Sequence, residues 1–278
     1  MPSMEVSVAR AQPPAVVDVL GIPIVRLDLS GVLDRVVEAI EHPRPTPVCL
    51  AYANAHTCNV ASTDRTFRQA LRRMDIVYLD GNGPRLAAWL AGTPMPRRMT
   101  GADWIHDLCN LCIHRGYRLY FLGARQGVAA AAADNLRRAH PGLEICGVHH
   151  GYFSRQAWQA IRDDIASLSP SIVLVGMASP AQEIWMLEVA ASLPVPVIWG
   201  AGGVFDYTSG RLHRAPLWMR RLGLEWLGRL FFEPRRLLSR YALGVPLFLV
   251  RAIAWSLRAR LQRLSHRARD APPTLTLD

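Results

Sequence analysis

The segment "YLDGNGPR", residues 78–85, places a carboxylate among glycines at the end of an apolar run. Asp80 follows the apolar residues 76–79, and Gly81 and Gly83 allow a ligand to approach the backbone closely. A carboxylate in this position can act as a general base if its pKa suits the reaction. An Asp-Gly turn without a catalytic role has the same residues, so the spacing alone leaves both interpretations open.

The segment "PRRMTGADW", residues 96–104, combines two arginines with the predicted start of a helix. Arg98 precedes Thr100 and Gly101, which open that helix. An arginine beside a helix N-terminus is a plausible clamp for a phosphate group. Asp103 in the first turn has a structural explanation, because an acidic side chain there interacts favourably with the helix dipole.

Two further segments place polar residues after apolar runs. In "GMASPAQEIWM", residues 176–186, Gln182 and Glu183 fall in the first turn of a predicted helix. They either cap that helix or hydrogen-bond a hydroxyl-rich ligand. In "WGAGGVFD", residues 199–206, the glycines including Gly202 indicate backbone close to a bulky group, and Asp206 follows them. The D-x-D pair that holds a divalent metal against a nucleotide diphosphate is absent, so we expect metal-independent chemistry without a cofactor.

The turn "FLGARQG", residues 121–127, lies between a predicted strand and a predicted helix but lacks the G-x-G-x-x-G spacing. This disfavours nicotinamide or flavin binding, and a Rossmann-type oxidoreductase is kept only as the alternative function. Cys109 and Cys112 form a C-x-x-C pair without a second ligand pair at zinc-site spacing. We interpret them as buried helix thiols in a reducing compartment.

From about residue 47 the chain alternates short apolar strands with helical stretches. This alternation predicts an α/β fold with a Rossmann-like, mostly parallel sheet that helices cover on both faces. Ligands bind beyond the carboxyl ends of such strands, where Asn54, Asp80 and Asn82 fall. We predict a flexible N-terminus at 1–17, a catalytic domain at 18–210, a basic helical appendage at 211–267 that associates with a membrane, and a disordered tail at 268–278.

The positive charge is concentrated at the C-terminal end of the chain. All 32 basic residues are arginines, and the formal net charge is +10. Residues 1–210 carry 18 arginines and 18 acidic residues, whereas residues 211–278 carry 14 arginines and four acidic residues. This asymmetry indicates an anionic partner for the C-terminal region, either a lipid surface or nucleic acid.

A helical stripe favours the lipid surface. After Pro246, apolar residues recur every three or four positions and arginines lie off that stripe, as in a helix at a membrane interface. The alternative is a helix whose leucine stripe packs on the domain. We see no nucleic-acid-reading motif, and no apolar run reaches the roughly 18 residues that span a bilayer. The stripe comprises Val250, Ile253, Leu257, Leu261 and Leu264, and the arginines expected to face the membrane or an acceptor are Arg220, Arg221, Arg229, Arg235, Arg236, Arg251 and Arg258.

Taken in order, several segments resemble one family. They are "ANAHT", "YLDGNGPRLA", "RRMTGADW", "SPAQEIWM" and the long stretch from "GAGGVFDYTSG" to "FFEPRRLLSRY". This series, over residues 18–250, resembles the WecG/TagA/CpsF family of bacterial glycosyltransferases. The resemblance implies inverting transfer of a sugar from a UDP-sugar to a lipid-linked, polyprenyl diphosphate glycan in surface or exopolysaccharide biosynthesis. The enzyme would act peripherally at the cytoplasmic face of the inner membrane, and its oligomeric state, including a homo-oligomer, stays open.

The resemblance also assigns roles to individual residues. It implies that Asp80 is the catalytic base, that Arg98 faces the diphosphate leaving group, and that Asn54 lies at the first strand end. Gln182, with Glu183 beside it, would hold the nucleotide-sugar. Tyr52 departs from the family pattern, which has Thr there, and the donor stays open among N-acetylmannosamine, its uronic acid and glucose. The complete set of expected substrate-binding residues is Asn54, Asn82, Gly83, Arg98, Gly101, Gln182, Glu183, Gly202, Asp206 and Arg214.

Overall fold

A computed structural model describes residues 14–221, 227–228, 230, 238 and 241–269. Within these ranges, six parallel strands form the main sheet, in the order β4-β3-β8-β7-β5-β6. A separate antiparallel hairpin of β1 (Val16–Val19) and β2 (Ile22–Val25) precedes it. The strands of the main sheet are β3 (Val48–Ala53), β4 (Ile76–Leu79), β5 (Leu119–Gly123), β6 (Ile145–His149), β7 (Ile172–Gly176) and β8 (Val197–Gly200).

Helices cover both faces of this sheet, which confirms the predicted fold class. Strands β4, β5, β7 and β8 are buried along their whole length, as expected for apolar strands between two helical layers. The helices are α1 (Leu29–Glu41), α2 (Ala55–Thr63), α3 (Arg65–Arg73), α4 (Gly83–Leu90), α5 (Gly101–Arg115), α6 (Val128–Ala139), α7 (Arg155–Leu168), α8 (Ala181–Ala190), α9 (Val204–Thr208), α10 (Leu217–Arg221) and α11 (Gly244–Arg269).

A single residue separates helices α2 and α3. Asp64 separates α2 from α3, and its side chain accepts a hydrogen bond from the backbone N–H of Phe67 at 2.9 Å. The same residue is therefore the C-cap of one helix and the N-cap of the next. An acidic N-cap satisfies a backbone donor that a continuous helix would satisfy internally.

The strand order reverses at β3. The chain passes from β3 to β4 at one edge of the sheet and later returns through β8 on the other side of β3. Because all six strands are parallel, their carboxyl ends all point the same way. Ligands of such sheets bind at these carboxyl ends, where the strand order reverses. The loops that follow β3, β4, β7 and β8 meet there.

Helix α11 packs against α2 and α4. Phe248, Ala252 and Ser256 form its buried side. Asn59 donates to the carbonyl of Gly244 at 2.6 Å, and Arg251 donates to both the backbone and side-chain oxygens of Asn59 at 3.0 Å. Farther along, Arg263 donates to the carbonyl of Ala91 at 2.9 Å. Both ends of this contact are thus fixed to the α/β domain. No helix in the described ranges is long and apolar enough to cross a membrane.

The stripe of α11 singled out in the sequence lies on the other side of the helix. Val250, Ile253, Leu257 and Leu261 are 50–66 % exposed. The alternative in which this stripe packs on the domain is therefore wrong, because Phe248, Ala252 and Ser256 on the opposite side make that contact. The helix also continues to Arg269, two residues beyond the predicted end of the appendage.

Candidate active site

A cavity of about 1100 Å³ opens at the carboxyl ends of the central strands. The loops after β3, β4, β5, β7 and β8 contribute to its wall, and α11 contributes from the side. The sequence-predicted residues that line it are Asn54, Asp80, Asn82, Gly83, Arg98, Gly101, Gly202 and Asp206. The structure therefore brings together at one cavity side chains and glycines that lie up to 152 positions apart in the chain.

Asp80 and Asn54 form a hydrogen-bonded pair in this cavity. The parallel register of β3 and β4 places them side by side, and the backbone N–H of Asp80 donates to Ala53 at 2.9 Å. Asn54 caps α2: its side-chain oxygen accepts from the N–H groups of His56 and Thr57, both at 3.0 Å. That oxygen is committed to the helix, so the amide nitrogen faces Asp80 and donates to its Oδ2 at 3.1 Å. The helix cap thus fixes the orientation of the candidate base.

Arg98 and the N-terminus of α5 form a cationic side of the cavity. Arg98 is half-buried, and its Nη2 donates to the backbone oxygen of Arg220 at 3.0 Å. Thr100, the N-cap of α5, makes no side-chain cap bond, and its buried Oγ1 has no partner among the described residues. First-turn N–H groups and a guanidinium favour a bound anion. This side of the cavity therefore suits phosphate groups.

Gly101 allows α5 to approach α9 closely. A Cβ at this position would lie 2.5 Å from Cγ2 of Val204, which is far inside van der Waals contact. Glycine is therefore required here by packing. The close approach of the two helices brings the start of α5 to the cavity wall.

Gln182 and Glu183 lie behind the cavity wall, fully buried, and do not line it. Gln182 Oε1 accepts from the backbone N–H groups of Met177 at 3.2 Å and Gly202 at 3.0 Å, so it holds the loops after β7 and β8 together. Burial raises the pKa of Glu183 to about 7, while hydrogen bonds from Ser179 and Gln182 act in the opposite direction. From behind the wall, these two side chains thus stabilise the loops that form it.

The structure places the predicted C-terminal arginines differently from one another. Arg214 does not line the cavity; it pairs with the Asp103 carboxylate and donates to the carbonyl of Ala102 at 3.3 Å. The same carboxylate lies 3.7 Å from Arg220. Arg251 was expected to face the membrane or an acceptor, but it faces the domain, where it donates to Asn59, and it does not line the cavity. Arg258 is exposed. Arg221 ends α10, and Arg229, Arg235 and Arg236 lie outside the described residues.

Sequence reasoning missed several residues of the wall. Arg211 lines the cavity in place of Arg214 and pairs with Asp206 at 2.6 Å. Arg125 and Tyr152 line it from the turns after β5 and β6. Arg125 belongs to the "FLGARQG" turn, whose position after a strand was a usable signal. The two C-x-x-C thiols are buried in α5 as expected, and burial raises the pKa of each to about 12.

A family model described as the glycosyl transferase WecG/TagA/CpsF family matches residues 17–262. The chain belongs to this family. Three relatives have the same name, N-acetylglucosaminyldiphosphoundecaprenol N-acetyl-beta-D-mannosaminyltransferase. The protein of Bacillus spizizenii is 34% identical over 62% of this chain and 68% of its own length. That of Bacillus subtilis is 28% identical over 81% and 88%, and that of Staphylococcus aureus 23% identical over 80% and 87%.

Family membership agrees with the resemblance stated from the motifs. It also shows a glycosyl transferase in preference to the alternative of a Rossmann-type oxidoreductase. The matched region includes every residue of the cavity wall and most of α11. The names of the three relatives describe acceptors that consist of a sugar on a lipid diphosphate.

Proposed function

We propose that this protein is an inverting glycosyltransferase that moves a hexose-type sugar from a UDP-sugar to a polyprenyl-diphosphate-linked acceptor. The observation that carries the proposal is the pair of Asp80 and Asn54, held at 3.1 Å inside a large cavity at the carboxyl ends of the strands. The relatives are named for an undecaprenyl diphosphate acceptor that carries N-acetylglucosamine, and we extend that acceptor class to this chain.

In the proposed reaction Asp80 removes the proton from an acceptor hydroxyl. The acceptor oxygen forms a bond to the anomeric carbon of the donor sugar, and the bond between that carbon and the β-phosphate oxygen of UDP breaks. Attack from the side opposite the leaving group inverts the anomeric configuration. The hydrogen bond from Asn54 keeps the carboxylate oriented towards the cavity. UDP leaves with the electron pair of the broken bond.

The leaving diphosphate fits the cationic side of the cavity. Arg98, the first turn of α5 and the hydroxyl of Thr100 supply donors where negative charge develops. Stabilisation by fixed donors of this kind lowers the barrier, because they need no reorganisation during the reaction. We therefore propose a metal-independent reaction, in which arginine and backbone donors neutralise the diphosphate.

The protein would reach its lipid-linked acceptor by binding to the membrane surface. Helix α11, which carries the exposed stripe, packs against α4, whose Trp89 is 66 % exposed. Arg258 and Arg260 lie on either side of the stripe and are exposed, as expected for arginines that reach lipid phosphates while apolar side chains enter the acyl boundary. We propose peripheral binding at the cytoplasmic face of the inner membrane, with no nucleic-acid partner.

The direct test is a transfer assay with the full chain. A panel of UDP-sugars is incubated with a polyprenyl diphosphate acceptor that carries N-acetylglucosamine, and products are identified by mass. We expect one UDP-sugar to add a single hexose-type unit, with full activity in excess chelator. No transfer from any UDP-sugar would overturn the proposed function. Loss of activity in chelator that Mg²⁺ or Mn²⁺ restores would overturn the metal-independent mechanism alone.

A further inference from the structure

Three aromatic side chains pack together at the start of α5. The indole rings of Trp104 and Trp199 are stacked, with their centroids 4.3 Å apart. The ring of Tyr78 meets both indoles edge-on, at 6.4 and 6.0 Å between centroids. Tyr78 is 2 % exposed and both tryptophans are fully buried, yet Tyr78 lines the cavity. Packing in this cluster therefore fixes the orientation of one phenol ring at the cavity wall.

The chemistry of indole fixes the direction of the hydrogen bond between Trp199 and Tyr78. Nε1 of Trp199 lies 3.3 Å from the Tyr78 oxygen. An indole N–H only donates, so the Tyr78 oxygen accepts this bond whatever the protonation state of the neighbouring groups. Burial raises the pKa of Tyr78 well above its usual value, so the phenol keeps its own hydrogen near neutral pH. That hydrogen is therefore directed away from Trp199.

The hydrogen of the Tyr78 hydroxyl has no acceptor among the described residues, since the bond from Trp199 is the one hydrogen bond that this hydroxyl makes there. The indole N–H of Trp104 lies near the same oxygen. It is also a donor, and Nε1 of Trp104 makes no hydrogen bond within the described part of the chain. A buried O–H without an acceptor costs free energy, so a ligand that supplies an acceptor gains affinity.

The Tyr78 hydroxyl lies close to the first turn of α5 and to the candidate base. A Cβ at Gly101 would lie 3.8 Å from Nε1 of Trp104, so this nitrogen is adjacent to the first turn. Thr100 and Gly101 line the cavity there, and the buried Oγ1 of Thr100 has no partner among the described residues. Asp80 follows Tyr78 by two residues and also lines the cavity, and its charge acts on the Tyr78 hydroxyl. The hydroxyl thus adds to the donors at the start of α5.

We propose that the hydroxyl of Tyr78, together with the first turn of α5, binds the β-phosphate of the donor nucleotide-sugar. The Tyr78 O–H, the Thr100 hydroxyl and the first-turn N–H groups all donate, so the ligand atoms that they meet are acceptors with several lone pairs, as phosphate oxygens are. The β-phosphate is bonded to the sugar, so it lies nearer to Asp80 than the α-phosphate does. This inference rests on the proposed function and adds an uncharged donor to the site of the leaving group.

The test compares the binding of UDP and UMP to the full chain by calorimetry. Both ligands contain uridine and the α-phosphate, and only UDP has the β-phosphate. Tyr78→Phe removes the hydroxyl and keeps the ring. We expect this variant to bind UDP about 10- to 100-fold more weakly than the wild type does, as for a lost hydrogen bond to a charged group. Its affinity for UMP should equal that of the wild type.

Tyr120→Phe is the matched control, because Tyr120 is also a buried tyrosine on a strand of the main sheet. Its hydroxyl donates to Asp164 at 2.8 Å, outside the cavity. This variant should bind both nucleotides as the wild type does. Tyr78→Phe also leaves the buried N–H of Trp199 without its acceptor, which lowers stability. Trp199→Phe disturbs the same cluster but keeps the phenol hydroxyl, and its preference for UDP over UMP should stay close to that of the wild type.

A second measurement needs no stable Tyr78 variant. In the wild type labelled with ¹⁵N, the indole N–H signal of Trp199, which is the signal absent from Trp199→Phe, should shift with UDP and not with UMP. Equal losses of UDP and UMP affinity in Tyr78→Phe, no loss of either, or an N–H signal that responds equally to both nucleotides overturns the assignment. A wild type that does not bind UDP would instead contradict the proposed function, whereas UDP binding that is indifferent to Tyr78 contradicts this inference alone.

Discussion

The carboxyl ends of the strands, here called the sheet edge, and helix α11 both contribute to the cavity. They differ in the kind of side chain that they hold in place. At the sheet edge, Asn54 is bonded to Asp80 and Gln182 to Glu183, and each pair is also tied to the backbone. Helix α11 is fixed on one side by Phe248 and Ala252 and leaves apolar side chains exposed on the other. The first region fixes polar groups at the cavity wall and behind it, whereas the second offers an extended apolar surface.

The largest expected effect tests the sheet edge. Asp80→Asn keeps the shape of the side chain but removes the carboxylate that takes the proton. We expect the turnover number to fall by about 10²- to 10⁴-fold, the usual contribution of a general base, with an unchanged midpoint of thermal unfolding. Transfer to the lipid-linked acceptor measured by product mass checks the rate. Asp163→Asn on exposed α7 is the control and should retain normal turnover; near-normal turnover by Asp80→Asn would rule out its role as base.

The next effect tests α11. Deletion of the helix would expose core residues that Phe248 covers, so substitution of its outer side is the sharper experiment. Ile253→Glu with Leu257→Glu should abolish sedimentation with anionic vesicles, while leaving transfer to a short-tailed, water-soluble acceptor within about twofold of the wild type. The physical reason is the cost of placing carboxylates at the acyl boundary.

A charge-matched control separates the loss of the apolar stripe from the effect of added negative charge. Gln156→Glu with Gln159→Glu adds the same charge on α7, which packs beside β6 at the opposite edge of the sheet. This variant should sediment like the wild type. Equal loss of vesicle binding in both variants would show that net charge, and not the apolar stripe, governs binding.

The smallest effect concerns the support behind the sheet edge. Burial raises the pKa of Glu183 from 4.5 to about 7, so between these values the unfolded chain loses a proton that the folded protein keeps. Stability contributed by this group is therefore present below pH 4.5 and is lost as pH rises to about 7, by roughly 3 kcal/mol in all.

Glu183→Gln should remove this part of the pH dependence, because the amide does not ionise. Urea unfolding of both proteins at pH 5 and pH 8 measures it. The wild type should lose more stability between the two pH values than the variant does. The same slope in both proteins would show that Glu183 is not the group responsible.

Much of the fold and part of the site could be predicted from the sequence. Continuous apolar strands and intervening helices indicated the parallel sheet, and its strand ends located Asn54 and Asp80. Arg214 was misjudged because its partner Asp103 lies 111 positions away, and a contact at that separation leaves no local pattern. In α11 the recurrence of apolar residues every three or four positions predicted the apolar stripe. It did not reveal that the smaller side chains of Ala252 and Ser256 would make the contact with the domain.

Gln182 and Glu183 illustrate the same limit at the site itself. Their position in the first turn of a helix after a strand was read correctly, yet that position is compatible with a side chain in the cavity or behind it. The deciding contact is the N–H of Gly202, 20 positions away at the start of another loop. Local pattern places a residue on an element, while packing between elements decides which way its side chain turns.

The attachment of α11 to the domain sets the distance between the cavity wall and the proposed bilayer surface. Phe248 lines the cavity and the exposed stripe lies across the same helix, so roughly one helix diameter, about 10 Å, separates this part of the cavity wall from the proposed bilayer surface. A diphosphate and one sugar ring span a similar distance. On the proposed arrangement the helix acts as a spacer between the cavity and the bilayer.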